Sequence, residues 1–120
     1  MGEKDLKRSY DLYLQDILEA IIRIEEYTEK MEFSDFDGSK ITKDAVLRNL
    51  EMIGEAASQL PFEVTAKYTS IPWRDIKGFR IVAAHHYWNI NLERIWDIIE
   101  HKLSDLKKEI KYIIEQEALP

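Results

Sequence analysis

Leu6 to Met31 reads LKRSYDLYLQDILEAIIRIEEYTEKM. Apolar residues fall at Leu6, Tyr10, Tyr13, Leu14, Ile17, Leu18, Ile21, Ile24 and Tyr27, in steps of three and four, while Lys7, Glu19, Glu26 and Lys30 lie opposite them. At 3.6 residues per turn this spacing draws one apolar stripe along an amphipathic α-helix. The pattern stops in Phe33-Ser34-Asp35-Phe36-Asp37-Gly38-Ser39-Lys40, whose Ser, Asp and Gly content is turn chemistry and makes it the clearest break in the chain.

The same period continues beyond that break. A second helix starts near Thr42 or Asp44, carries Val46, Leu50, Ile53, Ala57 and Leu60, and is stopped by Pro61. Within it Gly54, beside the small Ala56 and Ala57, lets a neighbouring helix approach closely. Pro61 to Tyr68 reads as one short helical excursion, and Ser70-Ile71-Pro72 as a turn into a third long element from Trp73 to about Tyr87. Gly78 inside that element costs about 1 kcal/mol against Ala, so close packing or a local break is expected there. Asn89-Ile90-Asn91 supplies a loop with an N-cap at Asn91, and Leu92, Ile95, Trp96, Ile99, Leu103, Leu106, Ile110 and Ile113 mark a last long helix.

Four long amphipathic segments with short connections, no internal repeat and no linker predict one helical domain over residues 1–120. Its fold class is all-α, an antiparallel up-down bundle of four to five helices. First and last helices of about 26 residues would each run ~39 Å at 1.5 Å per residue. Rods of that length exceed so small a core, and their Tyr and Trp content leaves apolar surface for a second copy of the chain.

Composition bounds the chemistry. The 120 residues are 45% apolar and 33% charged, with four glycines and three prolines as punctuation, which excludes a disordered tail. No apolar run approaches the ~18 residues a membrane span needs, and the opening MGEKDLKRSY has no apolar signal region, so the expected location is the cytoplasm. Zero cysteines remove thiol nucleophiles, disulfides and cysteine-ligated metals. The net charge of −6 and pI near 5.1 argue against a general electrostatic grip on nucleic acid, so any such binding is local.

The local exception is Pro72 to Asn91, PWRDIKGFRIVAAHHYWNIN. Here Arg74, Lys77 and Arg80 face one acid, Asp75, and two of the chain's three histidines follow. A permanently charged guanidinium beside an imidazole is what phosphate-ester chemistry without a metal requires, one group neutralising phosphoryl oxygens and the other moving protons. Arg80, His85, His86 and Tyr87 are the candidates. An Arg and a His five apart are equally ordinary on a solvated helix, and on an ideal helix they point about 140° apart, whereas Arg80 and Tyr87 differ by about 20°. A long Arg side chain, a helix end near His86 or two copies meeting across a dimer cleft would restore convergence. Adjacent His85 and His86 do not chelate one ion in the manner of an i, i+4 pair, and His101, between Glu100 and Lys102, reads as a solvated face residue. There is no His-Glu-x-x-His, Gly-rich phosphate loop or Ser nucleophile elbow.

Arg80-Ile81-Val82-Ala83-Ala84-His85-His86-Tyr87 fits Arg-x4-His-x-Tyr and resembles the signature of the HepT toxins within the HEPN superfamily of helical ribonucleases. Three further blocks resemble that family in the same order: Arg48 to Ala56 in the second helix, Ile71 to Ile76 leading into the motif, and Asn89 to Leu92 with Ile95-Trp96 entering the last helix. The resemblance implies a HEPN-like bundle and a homodimeric endoribonuclease that uses no metal or other cofactor. It also implies the role of toxin in a two-gene toxin–antitoxin module, with a minimal nucleotidyltransferase of the MNT type as the antitoxin partner. Carried over residue by residue, Arg80 and His85 form the ribonuclease site and Tyr87 accepts AMP from ATP. One position departs: the residue after the motif Arg is usually polar, often Asn, in active members, and here it is Ile81. Two other functions fit the same residues, a member that has lost cleavage and persists as the nucleotidyltransferase's binding partner and AMP acceptor, and a non-enzymatic helical adaptor whose basic patch binds an acidic partner.

Overall fold

Most of the first segment's stripe is buried, with Tyr13 and Leu18 half-buried and Tyr27, 40% exposed, falling outside the core. In α1 (Glu3–Thr28), Tyr10, Leu14, Ile17, Ile21 and Ile24 face inward, and the Thr28 hydroxyl donates back to the Ile24 carbonyl at 2.8 Å. The structure, a computed structural model, describes residues 3–84 and 91–118, with side chains from 10 to 81 and from 91 to 118. Among the described residues all regular structure is helical: α2 (Phe33–Asp37), α3 (Lys40–Ser58), α4 (Phe62–Lys67), α5 (Trp73–Lys77), α6 (Phe79–Ala84), α7 (Leu92–His101) and α8 (Leu103–Gln116) follow α1. The fold is an all-α bundle, as the periodicity predicts. Among the described residues no helix is long and apolar enough to cross a membrane.

At the centre α1 packs along α3, which begins at Lys40 because Ser39 caps it, its hydroxyl oxygen accepting from the Thr42 N–H at 3.2 Å. Val46, Leu50, Ile53 and Ala57 of α3 are fully buried. Also packed on α1 is α8, whose Leu103, Ile110 and Ile113 are fully buried and whose Lys107 ammonium donates to the Glu25 carboxylate at 2.6 Å. At one end Glu117 gathers α1, α4 and α8, accepting from Lys67 at 2.9 Å and from the Tyr10 hydroxyl at 3.5 Å.

Two details differ from the sequence reading, and one decides between alternatives it left open. The Phe33–Lys40 break contains α2, held at its start by Asp35 accepting from the Glu32 N–H at 2.9 Å. Its Phe36 is fully buried and stacks on Trp96 at a centroid distance of 5.2 Å, while Phe33 meets the same indole edge-on at 6.4 Å. Such ring pairs contribute about 0.5–1.5 kcal/mol beyond burial, so the two phenylalanines among turn residues are anchors that bind α2 to α7. Second, of the close packing or local break expected at Gly78 the chain takes the break: the Gly78 N–H donates to the Arg74 carbonyl at 3.1 Å and closes α5.

Third, the last segment is cut at Lys102, between α7 and α8, where neither Gly nor Pro stands. The buried set explains the break. Ile95, Ile98, Leu103, Leu106, Ile110 and Ile113 face the core, and the step of five from Ile98 to Leu103 would place those two about 140° apart on an unbroken helix. The Lys102 backbone, at φ −116° and ψ −36°, re-aims the chain so that both point inward.

Candidate functional site

The basic stretch is carried by two short helices, α5 and α6. Trp73 and Ile76 bury α5 in the core, and the Trp73 indole N–H donates to the Tyr68 carbonyl at 3.1 Å. Gly78 then turns the chain into α6, where Phe79 is buried and Arg80 and Ile81 are exposed. Exposed cations thus stand on a scaffold whose apolar neighbours lock it, the arrangement a rigid binding site needs.

Gly54 sets how close α6 lies to α3. A Cβ at Gly54 would stand 2.7 Å from the Arg80 backbone nitrogen and 3.1 Å from both the Arg80 Cβ and the Lys77 carbonyl oxygen. Only a residue without a side chain permits that approach. The close contact expected of Gly54 therefore falls on the motif arginine, so the second-helix block and the basic block form one unit.

Arg80 lines a cleft of about 730 Å³ between α5–α6 on one side and α7–α8 on the other. Its walls include the buried Ile76, Phe79, Ile98, Leu103 and Leu106, and its polar edge carries Arg74, Lys77, Arg94 and Lys102 beside Arg80. Acids share it: Asp75, Asp97, Asp105 and Glu109. His101, read from sequence as a solvated face residue, is 69% exposed, stands 4.0 Å from Asp97 and also lines the cleft. Burial, and then the charge of Asp105, push the Glu109 carboxyl above the ordinary glutamate range, and its Oε2 is shut off from solvent with no hydrogen-bond partner.

Of the residues expected at the site, Arg80 is exposed on the cleft, and among the described residues it makes no ion pair. His85, His86 and Tyr87 lie outside the described residues. Arg94, His101, Lys102 and Glu109 were missed as cleft residues, although a signal exists: Arg94, Asp97, His101, Asp105 and Glu109 follow one another in steps of three and four, a polar stripe along the last two helices. Among the described residues no three His, Asp or Glu side chains are grouped to hold a metal ion.

The chain matches a family model described as "Ribonuclease HepT-like" over residues 17–113. It is 41% identical over 115 residues to a Methanocaldococcus jannaschii protein named "Putative RNase MJ0127", covering 96% of this chain and 92% of that one. A Thermococcus cleftensis protein named "Probable ribonuclease HepT" is 38% identical over 102 residues, 85% of this chain and 93% of that one. A longer M. jannaschii protein, "Gamma-glutamylcyclotransferase and putative RNase MJ0434", is 38% identical over 111 residues, and the chain spans 50% of its length. No solved structure matches. Because the family match reaches from within α1 to within α8 and takes in α3, α5 and α6, the chain belongs to the HepT-like ribonuclease family.

Proposed function

We propose that this chain is a metal-independent endoribonuclease in which Arg80 and His85 act on the RNA phosphodiester. The observation that carries the reading is Arg80 itself, the motif arginine, exposed on a cleft and held there by the glycine-only approach of α6 to α3. The substrate's own 2′-hydroxyl attacks phosphorus and the bond to the 5′-oxygen breaks, leaving a 2′,3′-cyclic phosphate and a free 5′-hydroxyl. His85 exchanges protons with the attacking or leaving oxygen, and Arg80 neutralises charge on the phosphorane. Residues 1–120 act as one HEPN-like domain in the cytoplasm, and two copies pair so that their motifs meet. Exposed Leu12, Ile22 and Tyr112 on the long helices supply apolar surface for such pairing.

The test is cleavage of RNA in EDTA by the wild type and by His85→Ala. Loss of about 10²–10⁴ in rate is expected for removing one positioned acid–base group. Cleavage that EDTA abolishes and His85→Ala leaves intact refutes the mechanism.

In the same reading the protein is the toxin of a toxin–antitoxin pair, and an MNT-type nucleotidyltransferase silences it. The Tyr87 oxygen attacks the α-phosphorus of ATP, pyrophosphate leaves, and the new phosphodiester charge competes with RNA for Arg80. Intact mass after co-expression is expected to show gains in multiples of one AMP unit that vanish in Tyr87→Phe; a gain that persists in that variant, or no gain with an active nucleotidyltransferase and ATP, sinks the assignment. A second reading, a partner and AMP acceptor without cleavage, is favoured by Ile81, which is 57% exposed where active members usually carry a polar residue. Ile81→Asn separates the two: it raises cleavage from nil under the second reading and changes an existing rate under the first.

A further inference from the structure

We propose that Arg94, on the α7 wall of the cleft, binds a backbone phosphate of single-stranded RNA next to the phosphate that Arg80 holds from the α6 wall. The proposal rests on the ribonuclease reading and extends the site from one wall of the cleft to both. Three observations lead to it.

The first is how the arginines are partnered. Side chains are described for Arg23, Arg48, Arg74, Arg80 and Arg94. The two outside the cleft are ion-paired, Arg23 with Glu19 and Arg48 with Glu51 at 3.7 Å. The three that line the cleft are exposed, and among the described residues none of them makes an ion pair. In a chain with 23 Asp and Glu against 17 Lys and Arg, a carboxylate partner is easy to find, so three free guanidiniums in one cleft leave their charge to an outside anion. Arg94 stays free even beside an acid: Asp97, three residues on and on the same face of α7, lies 4.0 Å from His101 instead.

The second is fixed placement. Asn91 caps α7, its side-chain oxygen accepting from the Arg94 N–H at 3.1 Å, so the root of the Arg94 side chain is set by the cap. Buried Ile95 and Ile98 pin the same helix, and Phe33 and Phe36 hold Trp96. On the opposite wall the Gly54 contact fixes Arg80. Two guanidiniums on separately anchored walls suit two points along a chain better than one compact ion, and each offers the parallel N–H pair that phosphate oxygens accept.

The third is what the cleft admits. Its volume of about 730 Å³ falls within the range of about 300–1,000 Å³ that takes one drug-sized molecule, which is room for one nucleotide unit between the walls and not for a second strand. Exposed Asp75, Asp97 and Asp105 share the edge. They repel a ligand dense in negative charge, such as a polyphosphate, more than a strand with one charge per phosphodiester. Arg94 contacts the backbone alone in this arrangement, so it adds affinity without sequence preference.

Anisotropy titration of the intact chain with a fluorescent, fully 2′-O-methylated RNA decamer, which has no nucleophile and is not cut, tests this. Arg94→Gln is expected to weaken binding about tenfold, the loss of one charge-assisted contact, and to lower the slope of log affinity against log salt by about 0.7, one phosphate on a single strand. Arg94→Lys keeps the slope and loses part of the affinity, because it retains the charge and not the fork. Lys111→Gln, which removes an exposed cation outside the cleft, changes neither. In cleavage, Arg94→Gln lowers kcat/KM about tenfold through KM, the mark of a contact made alike in the ground and transition states. No binding by the wild type, an affinity or slope in Arg94→Gln equal to the wild type's, an equal effect of Lys111→Gln, or duplex RNA bound as tightly as the single strand overturns the proposal. Should Arg94→Gln fail to fold, an affinity in Arg94→Lys equal to the wild type's overturns it. Weakened binding that accompanies dissociation of a dimer in sedimentation assigns Arg94 to a contact between copies and overturns it too. RNA cleaved by the wild type, with binding and KM unchanged in Arg94→Gln, refutes this subsite alone, and Arg94-dependent binding without cleavage refutes the nuclease reading alone.

Discussion

Gly54→Ala tests whether the α3–α6 contact sets the position of Arg80. The added Cβ would stand 2.7 Å from the Arg80 nitrogen, closer than a Cβ tolerates, and the obstacles are the backbone at Arg80 and Lys77 and the rigid root of the Arg80 side chain. Recovering ordinary contact at 3.4 Å moves α6 outward by about 0.7 Å, because close-packed interiors offer no slack to absorb it. Overpacking of this kind costs about 1–3 kcal/mol, and the better helix propensity of Ala returns about 1 kcal/mol, so the variant stays folded with a net loss of about 0–2 kcal/mol. Displacing a catalytic group by about 1 Å costs on the order of 10²-fold in rate, so the shift of Arg80 should lower kcat by about 10–100-fold. The assay pairs single-turnover RNA cleavage with thermal melting at matched folded fraction, so that lost activity is separated from lost protein. A folded Gly54→Ala that cleaves at the wild-type rate refutes the idea that this glycine positions Arg80.

Two further perturbations act on stability. Lys30 holds a positive φ of 67° where α1 ends, so Lys30→Gly relieves a left-handed strain and should stabilise by about 0.5–1 kcal/mol in a urea melt; no gain would mean that the loss of unfolded-state stiffness cancels it. Burial raises the folded pKa of Glu109, so its ionised form is penalised in the native state and stability falls as pH rises through that raised value. Glu109→Gln should therefore raise the melting temperature at pH 7 by a margin that closes as pH drops below about 4.3, the ordinary glutamate value, and a margin independent of pH contradicts the assignment.

Local patterning made the helices legible, and of the breaks between them it marked Gly78 and left Lys102 hidden. The stripes of α1 and α3 are legible because each helix runs unbroken along the other, and Pro61 marks the end of α3 by steric exclusion, while its start at Lys40 under the Ser39 cap comes before the Thr42 or Asp44 that the sequence suggests. The cut at Lys102 follows from tertiary packing, the need for Ile98 and Leu103 to face one core, and Ile99 bridges the pattern in sequence so that the step of five goes unseen. Likewise Phe36 reads as loop until Trp96 is known to receive it. The same division holds at the site. Arg80 is legible because a guanidinium beside imidazoles is chemically suggestive within one stretch of chain. Glu109 is not, since 29 positions separate it from Arg80 in the sequence and only the fold makes them share a cleft. Gly54 lies between these cases: its smallness shows that something approaches, and the structure supplies what does. Sequence period thus reports which residues face inward, whereas a site assembled from several helices is written in contacts between elements, and those depend in part on a break, at Lys102, that no local signal marks.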